Sequence, residues 1–175
     1  IFLFLLETLP NVKRVFCDVS NQWDMEAGLP KGWCDGIVHL AGQCGVPTSI
    51  NNPRRDFEIN TGGTFNVLEY ARAERGRGRN TKVAFASTNK VYNLHSGWHL
   101  DGEQWRWTLP SWHQHGFPSD MKSTLLSGSR TPYGNSKFMA DAMCQEWFHM
   151  YGVPTGVFRM SCIYGPNQMG FEEQG

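Results

Sequence analysis

The sequence predicts an α/β fold with an open, doubly wound parallel sheet, and three observations carry this prediction. Short apolar runs, such as 35–41 and 82–86, alternate with longer helical patterns, as in strands joined by helices. Polar or small residues follow directly after the apolar runs. Ligands of open parallel sheets bind outside those carboxyl ends. The 175 residues favour one domain or part of one.

The first half of the chain contains two predicted strands and one helix. A strand is expected over 12–19, ending at Asp18, and a buried strand over 35–41 that runs into Gly42. A helix from 56 to about 75 comes next, because its apolar positions recur with helical spacing.

The second half repeats this alternation. A buried strand over 82–86 brings 87–89 to its carboxyl end, and a strand over 155–160 brings 161–162 to its own. Between them, 132 to about 151 predicts a helix, since it opens with proline and then carries few breakers. The carboxyl ends of the predicted strands carry Asp18, Gly42-Gln43, Thr88 and Ser161-Cys162, and we expect them to lie at the ligand-binding edge of the sheet.

Residues 93–130 have a different character, with four tryptophans, four histidines and little periodicity. A long irregular segment inside a compact domain is usually functional or disordered. A metal site needs three or four convergent ligands, and the spacing of the histidines does not supply them. We predict an irregular insertion and no metal.

Composition excludes several classes of function. Sixteen basic and sixteen acidic residues give a formal net charge of zero, so neither nucleic acid nor an anionic membrane is an expected partner. The apolar start, 1–6, is shorter than the roughly 20 residues that span a bilayer. Five cysteines without a Cys-x-x-Cys pair fit a reducing cytoplasm.

Tyr133 and Lys137 are the main candidates for chemistry. Residues four apart share one face of a helix, so the phenol and the ammonium are expected to point at one site. A nearby cation favours the phenolate and lowers the pKa of a tyrosine. Such a phenol can take a proton from a substrate hydroxyl while a hydride leaves the same carbon.

The order of motifs resembles that of the extended short-chain dehydrogenase/reductases, the NAD-dependent nucleotide-sugar epimerases and dehydratases. The segments that carry the resemblance are 39–43 (HLAGQ), 60–64 (NTGGT), 87–92 (STNKVY), 133–137 (YGNSK), 158–159 (FR) and 164–166 (YGP). It covers residues 10 to 175, and 87–92 is most similar to the CDP-paratose 2-epimerase branch.

The resemblance implies a Rossmann-type fold, NAD as cofactor, a nucleotide-sugar substrate and roles for matched positions. It implies that Tyr133 is the catalytic acid and base, that Lys137 holds the nicotinamide ribose, and that Thr88 bonds the reacting hydroxyl. The implied cofactor-binding residues are Asp18, Val19, Leu40, Ala41, Gly42, Gln43, Asn60, Ser87, Tyr133, Lys137, Met160 and Ser161. The implied substrate-binding residues are Thr88, Asn89 and Cys162.

Two departures from the family pattern make 1–175 an incomplete NAD-binding domain in this interpretation. No Gly-x-x-Gly-x-x-Gly precedes Asp18, although that loop cradles the cofactor pyrophosphate. The chain also ends at Gly175, before most of the carboxyl-terminal substrate domain that the family carries. The fragment alone is therefore expected to lack parts of both binding sites.

The two residues after Thr88 narrow the choice of reaction. In the dehydratase branch an Asp-Glu pair eliminates water, whereas this chain has Asn89 and Lys90, which cannot supply two carboxyl groups. An epimerase is therefore the favoured hypothesis, and the resemblance of 87–92 implies carbon 2 of a CDP-hexose as its position. A 4,6-dehydratase, a 4-epimerase and a truncated non-catalytic remnant stay open. The family also implies a homodimer through the Asn60 and Tyr133 helices.

Overall fold

A computed structural model describes residues 11–32, 34–92 and 130–166, together with the backbone of two short strands. The helices are α1 (Gln22–Gly28), α2 (Val46–Asn51), α3 (Pro53–Phe57), α4 (Gly63–Gly76) and α5 (Pro132–Tyr151). A π-helical turn, Glu58–Gly62, joins α3 to α4, and a 3₁₀ turn covers Asn89–Val91. The strands are β1 (Gly36–His39), β2 (Lys82–Thr88), β3 (Asp101–Gly102), β4 (Trp107–Thr108) and β5 (Thr155–Met160).

The main sheet is parallel and has the order β1-β2-β5. Ile37 of β1 pairs with Val83 of β2, and Phe85 of β2 pairs with Val157 of β5. The predicted α/β architecture with a parallel sheet is confirmed. The short strands β3 and β4 pair antiparallel with each other. Apart from these strands and Arg130, the predicted insertion, 93–130, lies outside the described residues.

Two strand predictions need correction. Residues 12–18 form no strand, because no strand of the described part pairs with them, and an unpaired strand has no ladder to stabilise it. The predicted buried strand at 35–41 is reduced to β1, and Val38 on it is 71% exposed. The described helices pack on the face of the sheet opposite to the Val38 side chain, so β1 is buried on one face only.

The core lies between this sheet and the two long helices. Its buried members are Met25 from α1, Val67, Leu68 and Ala71 from α4, Val83 and Phe85 from β2, Ala140 and Cys144 from α5, and Val153. Thr131 caps α5 by accepting a hydrogen bond from the backbone N–H of Gly134 (3.1 Å). Gly152 ends α5 with a φ of 66°, which favours glycine. The predicted helix over 132–151 is confirmed.

The predicted helix from 56 to about 75 is confirmed as the continuous run of α3, the π-helical turn and α4. The π-helical turn contains Asn60 and Thr61, both buried, and such turns occur frequently at functional sites. Gly63 lies so close to Val19 that a Cβ there would stand 2.8 Å from the valine Cγ2. The segment before α1 is therefore fixed against the start of α4.

The close contact between the first turn of α5 and the backbone of Lys90 can be tested at Gly134. A Cβ at Gly134 would clash with the backbone oxygen of Lys90, so Gly134→Ala should lower the free energy of unfolding by about 1–3 kcal/mol. Gly76→Ala is the matched control, since a Cβ there meets open space and alanine favours the helix. Urea unfolding of both variants checks this, and equal stabilities would contradict the described contact.

Candidate active site

The carboxyl ends of β1, β2 and β5 meet at one edge of the sheet, beside the first turns of α5. A cavity of about 190 Å³, the strand-end cavity, lies there. It is lined by Leu40, Gly42, Gln43, Cys44, Ala86, Ser87, Thr88, Tyr133, Lys137, Met160, Ser161 and Ile163. Residues far apart in sequence, most of them singled out from sequence alone, are thus brought together.

Thr88 and Tyr133 form the polar wall of this cavity. Thr88 ends β2, and its hydroxyl accepts a hydrogen bond from the backbone N–H of Lys90 (3.3 Å). Tyr133 is held through its backbone N–H, which donates to Ser49 Oγ (3.1 Å). Thr88 Oγ1 donates to Asn89 Oδ1 (3.4 Å), and Thr88 lowers the pKa of the Tyr133 phenol. Two hydroxyl groups in one cavity can both bond to a hydroxyl of a bound substrate.

The pKa of Tyr133 corrects one expectation. Burial raises the pKa of the phenol above its usual value, Cys44 and Asp56 raise it further, and the hydrogen bond from Thr88 lowers it. The sequence predicted a lowered pKa because of Lys137. Lys137 is not among the groups that shift the Tyr133 pKa, and burial is the largest cause, so Tyr133 is a neutral phenol at neutral pH.

Lys137 is buried at the base of the cavity, with 6% of its surface exposed. Its ammonium lies 4.2 Å from the centre of the Phe85 ring, a cation–π contact. Burial lowers the pKa of Lys137 to about 8, against opposing effects of Cys144, Cys44, Asp56 and Asp141. The lysine therefore stays mostly protonated at neutral pH.

Asn60 lies beneath the cavity and links the turn after β1 to α5. Its Oδ1 accepts from the backbone N–H of Gln43 (2.9 Å), and its Nδ2 donates to the backbone oxygen of Gln43 (3.0 Å). Nδ2 also lies 3.2 Å from Asp56 Oδ1 and 3.1 Å from Ser136 Oγ. A Cβ on Gly42 would stand 2.9 Å from Asn60 Oδ1, so the turn needs glycine there.

A second buried network supports the other wall of the cavity. Asp141 is fully buried and accepts hydrogen bonds from Arg159 at both carboxylate oxygens (2.8 and 2.9 Å). Ser87 Oγ also donates to Asp141 (2.9 Å). The paired charges satisfy each other in the interior, and they fix Ser87 next to Thr88.

Several predicted site residues do not line the strand-end cavity. Asp18 is exposed, and its carboxylate accepts hydrogen bonds from the hydroxyl and N–H of Ser20, which lower its pKa. Val19 packs on Gly63. Asn60 lies beneath the cavity and does not line it, and the remaining three, Ala41, Asn89 and Cys162, are next to lining residues in sequence without being lining residues themselves.

Some residues that line the strand-end cavity, and the polar side chains that hold Asn60, were not singled out by any sequence pattern. Cys44 and Ile163 line the cavity, while Asp56 and Ser136 hold Asn60 from behind. One signal was available for Asp56, because it precedes Asn60 by four residues on a predicted helix and so shares its face. Ser136 lacked such a signal, since its partner is distant in sequence.

The residues present fit the nicotinamide end of a dinucleotide cofactor. Gln43 Oε1 is buried and has no hydrogen-bond partner within the described residues, so it offers an acceptor to a ligand. The volume is below the roughly 300–1,000 Å³ of most ligand pockets, so these residues enclose part of such a ligand.

The features outside the strand-end cavity suggest less chemistry than the cavity itself does. A larger cavity, about 400 Å³, lies between α1 and α4 and shares no residue with the strand-end cavity. Among the described residues no three His, Cys, Asp or Glu side chains are grouped to hold a metal ion. The histidines of the predicted insertion lie outside them. Within the same part of the chain no helix has the length and apolar character to cross a membrane.

Comparisons with known proteins agree with this geometry. A family model described as the NAD dependent epimerase/dehydratase family matches residues 5–174. The CDP-paratose 2-epimerase of Salmonella typhi is 36% identical over 99% of this chain and 49% of that protein. The dTDP-glucose 4,6-dehydratase of Salmonella typhimurium is 31% identical over 75% of this chain and 35% of that protein.

A solved structure shows the same fold. The UDP-glucose 4-epimerase of Thermus thermophilus, in complex with NAD, superposes with a TM-score of 0.66 at 24% identity. The match covers 96% of this chain and 47% of that chain. The chain thus spans about half the length of the Salmonella typhi and Thermus thermophilus relatives.

His39 gives a testable dependence of stability on pH. It is buried beside the site, its Nε2 lies 3.0 Å from Thr64 Oγ1, and burial, with the charge of Lys137, lowers its pKa to about 4. The unfolded chain, with a histidine pKa near 6.5, binds the proton more readily. Stability should therefore fall between about pH 6.5 and 4, by up to ~3 kcal/mol for this group.

The measurement is chemical unfolding across this pH range for the protein, for His39→Gln and for the exposed-site control His149→Gln. The loss should be smaller in His39→Gln, whose side chain does not titrate, and unchanged in His149→Gln. Parallel curves for all three proteins would contradict a buried neutral His39.

Proposed function

This chain belongs to the NAD dependent epimerase/dehydratase family, and we propose that the protein containing it is an NAD-dependent nucleotide-sugar epimerase. The single observation that carries the proposal is the meeting of Thr88, Tyr133 and Lys137 in the strand-end cavity. The family predicted from the motifs is confirmed. Because the chain spans only part of its relatives, the activity, substrate and partners of the whole protein are proposals.

Tyr133 acts as acid and base in this proposal. In its phenolate form, which the positive charge of bound NAD would favour, it accepts the proton of a sugar hydroxyl as that carbon is oxidised, and it returns the proton when the carbon is reduced on its other face, with no net redox change. Thr88 is proposed to orient the sugar hydroxyl by a hydrogen bond of its own. Lys137 holds the ribose hydroxyls and contributes a positive charge behind the phenol.

NAD, when bound, supplies the hydride acceptor and a positive nicotinamide ring, and a positive charge near a phenol lowers its pKa. Its proposed nicotinamide neighbours are Leu40, Ala41, Gly42, Gln43, Asn60, Ser87, Met160 and Ser161. Asp18 and Val19 are proposed to lie beside the adenine. This assignment is supported by the buried acceptor of Gln43, which has no partner within the described residues.

The finer proposal is inversion of carbon 2 of a CDP-hexose through a keto-sugar. It is supported by the similarity to the Salmonella typhi CDP-paratose 2-epimerase. Thr88, Asn89 and Cys162 are the proposed sugar contacts. The alternatives are a 4-epimerase and a 4,6-dehydratase, and the amide and ammonium of Asn89 and Lys90 disfavour the elimination step of the latter.

Three further parts of the proposal concern the whole protein. Residues 1–175 form one NAD-binding domain in which 93–130 is an insertion. A homodimer through α4 and α5 is supported by exposed aromatic side chains on these helices, Phe65, Phe148 and Tyr151. A cytoplasmic location is supported by the five cysteines, none of which forms a disulfide.

Tyr133→Phe in the full-length protein should lower turnover by about 10²-fold or more, because it removes the group that transfers the proton. Tyr151→Phe is the matched control, since Tyr151 lies at the far end of the same helix and its ring contact with Arg72 needs no hydroxyl. Steady-state kinetics on CDP- and UDP-hexoses gives the measurement. Equal activity of Tyr133→Phe and the control would contradict the proposal and favour a non-catalytic remnant.

The product distinguishes the candidate reactions. We expect proton NMR of the reaction mixture to show a sugar epimer with inverted coupling at one ring carbon and no accumulated ketone. Accumulation of a 4-keto-6-deoxy sugar would contradict the epimerase and identify a 4,6-dehydratase. Inversion at carbon 4 in place of carbon 2 would leave the epimerase class in place and overturn the proposed position.

A further inference from the structure

Asp56 is a carboxylate buried behind the candidate active site, with 1% of its surface exposed. It does not line the strand-end cavity, and neither the motifs nor the comparisons give it a role. Its partners are a hydroxyl and an amide: Ser136 Oγ donates to its Oδ2 (2.5 Å), and Asn60 Nδ2 lies 3.2 Å from its Oδ1. Burying a carboxylate costs free energy unless hydrogen-bond or charged partners compensate, so the burial of Asp56 at this position suggests a specific role.

The carboxylate fixes the orientation of the Asn60 amide. An ionised carboxylate only accepts hydrogen bonds, so it requires the NH₂ side of Asn60 to face Asp56. The Asn60 oxygen then points to the backbone N–H of Gln43 (2.9 Å). A flipped amide would place its oxygen against the carboxylate and its NH₂ against that N–H. Asp56 therefore fixes the orientation in which Asn60 Oδ1 accepts a hydrogen bond from the backbone N–H of Gln43, in the 41–43 turn.

Asp56 also acts on Lys137. Lys137 lies beside the Asn60 network, because its Nζ and Asn60 Oδ1 are 3.9 and 2.9 Å from the position that a Cβ on Gly42 would take. The groups whose charges act on Lys137 are Asp56 from α3, Asp141 and Cys144 from its own helix, and Cys44 from the loop after β1. His39 on β1 stays neutral at neutral pH, with its pKa near 4. Burial alone lowers the pKa of Lys137, and the negative charge of Asp56 opposes that effect.

We propose that Asp56 is a positioning residue, which holds the Asn60 amide in one orientation and keeps the Lys137 ammonium in the strand-end cavity. Through Asn60 it fixes the turn that contacts the cofactor, and through its charge it retains the cation that holds the ribose. Its effect on the reaction rests on the proposed function. Its effects on Asn60 and Lys137 concern the protein alone.

The first test measures the charge state of Lys137 without any turnover. The full-length protein is labelled with ¹³Cε-lysine, the Lys137 signal is assigned by its loss in Lys137→Arg, and its pKa is measured by NMR titration. Asp56→Asn should lower the Lys137 pKa relative to Glu58→Gln, which neutralises an exposed carboxylate two residues away. Equal pKa values of Lys137 in the two variants would overturn the proposal.

Ser136→Ala provides the second test and also serves if Asp56→Asn does not fold. It keeps the charge of Asp56 but removes the hydroxyl that bonds both Asp56 and Asn60. Affinity for NAD, measured by calorimetry, should fall about tenfold relative to Glu58→Gln, the scale of one hydrogen bond to a charged group. Unchanged affinity in Ser136→Ala would overturn the positioning role.

The two measurements separate this proposal from the proposed function. If the unaltered protein binds no NAD, the cofactor proposal fails, and the Lys137 titration still decides for or against Asp56. If NAD binds and turnover occurs while Asp56→Asn leaves the Lys137 pKa unchanged, the function stands and the role of Asp56 is refuted.

Discussion

The hydrogen bonds of the buried Asn60 amide are the interaction on which the site depends. They connect three segments that are distant along the chain: the turn at Gln43, the helix that carries Asp56, and Ser136 on α5. An asparagine amide has two donors and one acceptor group, and here both sides are used. Without these bonds the turn at Gly42 and Gln43 would no longer be held in a fixed position relative to α5, and the cavity between them would lose its shape.

Much of the fold follows from patterns that are local in sequence. The helix at 132–151 was predicted from an initial proline and an absence of breakers, and the strand Thr155–Met160 from a short apolar run; both agree with the structure. Of the residues predicted at the carboxyl ends of strands, Gly42, Gln43, Thr88 and Ser161 line the cavity, whereas Asp18 and Cys162 do not. These predictions succeed because parallel strands bring their ends together whatever the length of the connections.

The rest depends on contacts that one sequence does not reveal. The strand expected at 12–19 is absent from the described residues because a strand needs a partner, and the apolar pattern does not tell whether one is present. The pKa of Tyr133 is raised chiefly by burial, which the spacing of Tyr133 and Lys137 does not report. The partnership of Asp56 with Ser136 joins residues 80 positions apart, and only the packed structure brings them together.

The proposed function requires that one carbon of a nucleotide sugar is oxidised by NAD and reduced again in the strand-end cavity, with no exchange of its hydrogen with solvent. This can be measured by following a deuterium placed on carbon 2 of a CDP-hexose during reaction with the full-length protein. The epimer should keep its deuterium, and a parallel reaction in D₂O should introduce none, because the hydride leaves and returns within the site. Loss of the deuterium to water, or gain of deuterium from D₂O, would contradict the proposed hydride transfer.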